Sequence, residues 1–151
     1  MRGVIRFLQD LSLLVVRIGF GLLLLAHAWY RWKHVGMAQE VRVLSEAAVP
    51  QPRALAWASL GLEAVGGVLL VLGLAVPLVG LALLVQNILV IVRLKWGNGV
   101  YAHNDGLEHN LVQAMLALLL TVLGSGRAGL DALFGHRRRE DPEQRVVREV
   151  P

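Results

Sequence analysis

Apolar residues in this chain gather into four long blocks, at about residues 11–30, 54–74, 77–94 and 107–123. A helix needs roughly 20 mostly apolar residues to cross about 30 Å of hydrocarbon. Lipid offers backbone N–H and C=O groups no partners, so a spanning helix must satisfy them internally. The blocks show neither the short alternation nor the amphipathic spacing of a soluble core. The expected fold is therefore all-α, an integral membrane four-helix bundle. A chain of 151 residues suits one such domain, and a hydrophobic share of 56% with a mean hydropathy of +0.57 agrees.

Punctuation supports these blocks. Pro77 opens the third, at a first helical turn where no N–H is lost, and Gly124-Ser125-Gly126 closes the fourth. Residues 31–53 form a polar connection containing Pro50 and Pro52, and Gly97-Asn98-Gly99 marks a turn before the last block. Residues 1–127 are read as the transmembrane domain. Residues 128–151 are read as a short interfacial turn (Leu130, Leu133, Phe134) followed from His136 by a charged, disordered cytoplasmic tail. Arg2, Arg6, Arg127 and the arginines at 137–139 favour both termini on the cytoplasmic side, although Arg31, Lys33, Arg42, Arg53, Arg93 and Lys95 lie in the opposing connections. Ala26-His27-Ala28 also permits a signal-peptide reading, which the apolar residues before Arg17 oppose.

The formal charge of +4 and pI near 10.3 do not indicate nucleic acid. The basic residues stand between or after the apolar blocks, where they meet lipid headgroups, and no basic stripe interleaved with stacking aromatics is present. With no cysteine, the chain has no disulfide, thiolate nucleophile, zinc–thiolate site or cysteine-ligated cluster. Redox chemistry would need a bound cofactor or a partner.

Polar residues inside the apolar blocks are the functional candidates, because a charge at mid-bilayer costs about 2.5–3.5 kcal/mol on insertion scales. Arg17, Glu63 and Glu108 are of this kind. They are expected to meet in the bundle interior, with Arg17 paired to one or both carboxylates. That cluster is either an ion pair fixing helix register or a proton relay and anchor for a ligand headgroup. Gly66, Gly67 and Gly73 lie broadly along one face of the second block and permit close helix approach. Gln86 and Asn87 are hydrogen-bonding glue between helices or headgroup contacts.

A second cluster brings His27, Trp29, Tyr30, Trp32 and His34 to the same membrane face as Trp96, Tyr101, His103, Asp105, Glu108 and His109. It reads as an aromatic belt or as a shallow pocket for a quinone ring. A metal fits less well, since no His-x-x-x-His pair occupies one helix turn. His109 and Gln113, four apart, share a face of the last helix.

These residues together resemble the DoxX family of small four-helix bacterial membrane proteins, related to a subunit of archaeal thiosulfate:quinone oxidoreductase. The resemblance is carried by Val16-Arg17-Ile18-Gly19 with His27, and by Leu62-Glu63-Ala64-Val65-Gly66-Gly67 leading to Leu72-Gly73-Leu74. It continues through Gly106-Leu107-Glu108-His109-Asn110-Leu111 and Gly124-Ser125-Gly126-Arg127-Ala128-Gly129-Leu130-Asp131. It implies a plasma-membrane bundle linked to quinone or redox metabolism.

The expectation is a quinone-associated redox module of the plasma membrane that acts with a soluble or membrane redox partner. Arg17, Glu63 and Glu108 would form its polar core or proton relay; His27, Asn87 and His109 would contact the quinone headgroup. No metal and no nucleic acid are expected, and a homo-oligomer stays open. The alternative is a membrane anchor or assembly scaffold for soluble redox proteins. Transport is weaker, because no helix carries a mid-depth Gly/Pro break.

Overall fold

A computed structural model describes residues 2–101, 106–126 and 129. Among them the chain is all-α, with no strand. Helix α1 covers Arg2–Tyr30, α2 Met37–Glu46, α3 Pro52–Leu72, α4 Val76–Val90 and α5 Glu108–Leu123. A π-helical turn at Arg31–Val35 extends α1, and another at Ile91–Lys95 extends α4 into a 3₁₀ turn at Trp96–Asn98. The stretches Phe7–Val35, Pro52–Leu72 and Val76–Asn98 are long and apolar enough to cross a membrane. Helix α5 has 16 residues, about 24 Å at 1.5 Å per residue, a shortfall that local bilayer thinning accommodates. The chain is thus a membrane bundle of α1, α3, α4 and α5, with the short helix α2 inserted between α1 and α3. The residues expected to form the interfacial turn and charged tail, apart from Gly129, lie outside those described, as do His103 and Asp105.

The four expected blocks are all helices, with shifted edges. Helix α1 starts at Arg2 rather than near residue 11, and α4 runs on through its π turn. The structure adds α2 where a polar connection was expected. Met37, Val41 and Leu44 give it one partly buried apolar face at helical spacing. Gly36, at φ 81°, breaks from the π turn, and its carbonyl accepts from the Gln39 N–H at 3.1 Å to start the helix. Pro52 and Pro77 both stand in the first turns of their helices, α3 and α4. Gly73 ends α3 at φ 72°, a left-handed conformation that suits glycine.

Two close helix pairs carry the packing, α1 against α3 and α4 against α5. In the first, a Cβ at Gly21 would lie 2.8 Å from the Gly67 carbonyl oxygen, and one at Gly67 would lie 2.8 Å from that of Gly21. Only two glycines let these backbones meet. Gly66, one residue earlier, faces α4, where a Cβ would lie 3.0 Å from Val79. The shared core comprises Phe20, Leu24, Leu70, Val76, Val79, Leu83, Ala117 and Leu120. Helices α3 and α4 pack together near their short connection, and toward the opposite face a cleft of about 1000 Å³ lies between them.

Candidate functional site: a polar cluster at the end of a lateral cleft

Glu63 is 5% exposed and stands near the middle of α3. Its charge is balanced by Arg31, whose Nη1 donates to Glu63 Oε1 at 2.7 Å. The same guanidinium holds Glu40 of α2 in a fork, Nε to Oε1 at 3.0 Å and Nη2 to Oε2 at 2.9 Å. Nη2 also donates to the Ser59 hydroxyl at 3.0 Å. Four of the five guanidinium N–H donors are thereby engaged. Gln86 of α4 completes the group, its Nε2 donating to Glu63 Oε1 at 3.0 Å. One arginine thus bridges two carboxylates, and Glu46, Arg93 and Lys95 also line the cleft.

The local sequence places this group. Arg31 opens the π turn, whose Gly36 N–H bonds five residues back to the Arg31 carbonyl at 2.8 Å. A side chain at a helix C-terminus points back toward the N-terminal turn, which sends Arg31 down along α3 to Ser59 and Glu63. Gly36 then reverses the chain so that Glu40, in the first turn of α2, meets Arg31 from above. An acidic residue also suits that helix end electrostatically.

The cleft runs from this cluster outward between α3 and α4. Leu55, Leu62, Ala82, Val85 and Leu89 give it apolar walls. Leu55, Val85 and Leu89 are 41%, 49% and 54% exposed, so the cleft opens sideways toward hydrocarbon. On the opposite side of the polar group, His27 and His109 meet edge to face with ring centroids 5.4 Å apart. His109 Nε2 lies 3.0 Å from Gln113 Nε2, which makes that ring nitrogen the acceptor. Three buried polar atoms lining the cleft have no hydrogen-bond partner among the described residues: Glu63 Oε2, Gln86 Oε1 and His27 Nδ1. Buried polar groups are almost always paired, so three orphans on one cleft mark a place for a ligand headgroup or ordered water. No group of three His, Asp or Glu side chains that could hold a metal occurs among the described residues.

The expected Arg17–Glu63–Glu108 core does not form. Arg17 is buried at 2% exposure, but its Nη1 donates to the Ser125 carbonyl at 2.8 Å, beyond the C-terminal end of α5. It also abuts Gly73 at the end of α3. Its charge therefore faces the carbonyl ends of two helices, where a cation is favoured. Gly73 is ten residues past Glu63 on α3, about 15 Å along the axis, so the guanidinium beside Glu63 is that of Arg31. Glu108 is exposed, at the first residue of α5, and does not line the cleft. Of its two expected roles, Asn87 takes that of glue between helices and does not line the cleft. Its Nδ2 donates to the Leu83 carbonyl at 2.9 Å and its Oδ1 accepts from Asn110 Nδ2 at 2.9 Å, joining α4 to α5. Gln86, one residue earlier, faces the cleft instead. Glu63, His27 and His109 line the cleft as a set.

Sequence reasoning passed over Arg31 and Glu40 because they fall in the presumed loop, and Ser59 because a lone uncharged hydroxyl inside an apolar block draws no notice. A signal was present: Arg31 is four residues after His27 and so lies on the same helix face, and Ser59 stands in the same relation to Glu63.

No curated protein and no solved structure matches the chain. A family model, DoxX, matches residues 12–96, the span from α1 through the π turn of α4 that supplies Arg31, Glu40, Ser59, Glu63 and Gln86. By that match over more than half its length, and by its membrane helix bundle, the chain belongs to the DoxX family.

Proposed function

We propose that this protein is a quinone-associated redox module of the plasma membrane, with both termini cytoplasmic, working with a partner enzyme that delivers electrons. The observation that carries this reading is the lateral cleft, apolar along its walls and ending in Glu63, Arg31, Gln86 and His27. That is the shape and polarity an amphiphile with a long apolar tail and a small polar head requires. The orphaned Glu63 Oε2, Gln86 Oε1 and His27 Nδ1 fit a quinone-type headgroup, which offers oxygen functions at two ends of a ring.

Bound there, such a headgroup would supply reversible two-electron, two-proton chemistry. The chain's own residues bind, orient and exchange protons. Glu63 accepts a proton at Oε2 while Arg31 and Gln86 fix its other oxygen. His27 presents Nδ1 as a second proton-handling atom. The apolar walls hold the tail and keep water from the ring.

Solvent extraction and mass spectrometry of protein purified in mild detergent test this. A near-stoichiometric quinone is expected, with Val85→Trp, which fills the cleft from the lipid side, losing most of it. Quinone no higher than in an unrelated four-helix membrane protein prepared in parallel refutes the proposal.

A further inference from the structure

We infer that the cleft selects the reduced, hydroxyl-bearing form of its amphiphile over the oxidised, carbonyl-bearing form. This rests on the amphiphile reading above and deepens it. The free polar atoms at the end of the cleft are mainly acceptors. Glu63 Oε2 belongs to the carboxylate half of an ion pair and can only accept. Gln86 Oε1 is also an acceptor, and its assignment is not arbitrary. The Gln86 amide must turn its NH₂ toward Glu63 Oε1, at 3.0 Å, because a carboxylate oxygen opposite the amide oxygen would be repelled. The oxygen is therefore directed away from Glu63, with no protein donor to meet it.

Each donor nitrogen of Arg31 and Gln86, the side chains that hold these acceptors, already has a partner. Four of the five Arg31 N–H groups are engaged by Glu40, Glu63 and Ser59. Gln86 Nε2 gives one of its two N–H groups to Glu63. His27 Nδ1 donates in only one of its tautomers. A ring bearing two hydroxyls gives its protons to Glu63 Oε2 and Gln86 Oε1 and satisfies both. A ring bearing two carbonyls sets its lone pairs against theirs and leaves them unpaired in a low-dielectric site, where unpaired polar groups are most costly.

The site is then a retention site for the two-electron-reduced amphiphile. Hydrogen bonds to charged groups are the stronger kind, and the preference should reach about tenfold or more. A couple bound tenfold more tightly when reduced has its two-electron potential raised by about 30 mV.

The test uses the full chain in lipid nanodiscs, with decyl-tailed benzoquinone and its hydroquinone kept reduced under anaerobic conditions. Affinities come from quenching of tryptophan emission, corrected for partition of each form into empty nanodiscs. The inference expects the hydroquinone to bind at least about tenfold more tightly, and a redox titration of the bound couple to show the matching positive shift. Glu63→Gln and Gln86→Leu should each bring the two affinities closer together, and either variant suffices if the other fails to fold. Equal affinities, or tighter binding of the quinone, overturn this inference while leaving the amphiphile site standing. A preference unchanged in a folded variant overturns the assignment to these acceptors. Binding of neither form overturns the amphiphile reading itself.

Discussion

Replacing Arg31 by Met should damage this protein more than any other single loss of charge in the cleft. The substitution keeps most of the side-chain length but removes the guanidinium in contact with Glu63 Oε1, at 2.7 Å, and both bonds to Glu40. Glu63, with 6% side-chain exposure, would be left as an uncompensated buried carboxylate. Breaking a buried pair in this way costs about 3–5 kcal/mol. Glu63→Gln should cost only about 1–2 kcal/mol, because Arg31 keeps its fork on Glu40 and an amide oxygen can still accept from Nη1. The double variant should then cost less than the sum of the singles by about 1–3 kcal/mol, since removing the second charge relieves the first. Glu40, the more exposed carboxylate at 21%, can take up water instead. Unfolding by sodium dodecyl sulfate titration, read by far-ultraviolet circular dichroism, supplies all the values. The cycle of Arg17→Met with Glu63→Gln serves as the control. Those groups lie about 15 Å apart along α3, so their effects should add to within about 0.5 kcal/mol. Loss of less than about 1 kcal/mol in Arg31→Met, or strong coupling of Arg17 rather than Arg31 to Glu63, would show that the ion-pair assignment is wrong.

Three further outcomes are expected. Gly21→Ala should separate α1 from α3, because its methyl would stand 2.8 Å from the Gly67 carbonyl oxygen; the cost is about 1–3 kcal/mol, visible as a lowered unfolding midpoint. Asn87→Leu should cost about 0.6 kcal/mol, the mean for an interhelical hydrogen bond in a membrane. It should leave any co-purified quinone unchanged, since Asn87 joins α4 to α5 and does not line the cleft. Gly73→Ala should be more harmful than its position at a helix end suggests, because the residue is buried. It forces a side chain into φ 72°, and the new Cβ would sit 2.6 Å from Arg17 Nη1, so the unfolding midpoint should drop and far-ultraviolet helicity be retained.

Much of the molecule is written locally in the chain. A helix satisfies its own backbone, and about 20 apolar residues give it the length of the bilayer, so the four blocks announce four helices without reference to one another. Pro52, Pro77, Gly73 and Gly124 set their ends for equally local reasons. Glu63 and His27 stood out because a polar group within an apolar block needs a partner wherever it lies. The partner was not legible. Arg17 and Arg31 are both arginines on the first helix, fourteen residues apart, and either could be drawn beside Glu63 on paper. The choice was made by the Gly21–Gly67 contact, which fixes the register of α1 against α3 and carries Arg17 to the helix ends while bringing Arg31 to Ser59 and Glu63. Glu108 and Glu40 exchanged roles for a similar reason: the bend at Gly36 folds α2 back over the π turn and α3, whereas the start of α5 leaves Glu108 exposed. Gln86 and Asn87 are neighbours with the same chemistry, and only the rotation of α4 between α3 and α5 turns one to the cleft and the other to the bundle seam. Helix formation is a property of a segment and can be read from it, whereas register and rotation are properties of pairs of surfaces and exist only once those surfaces have met.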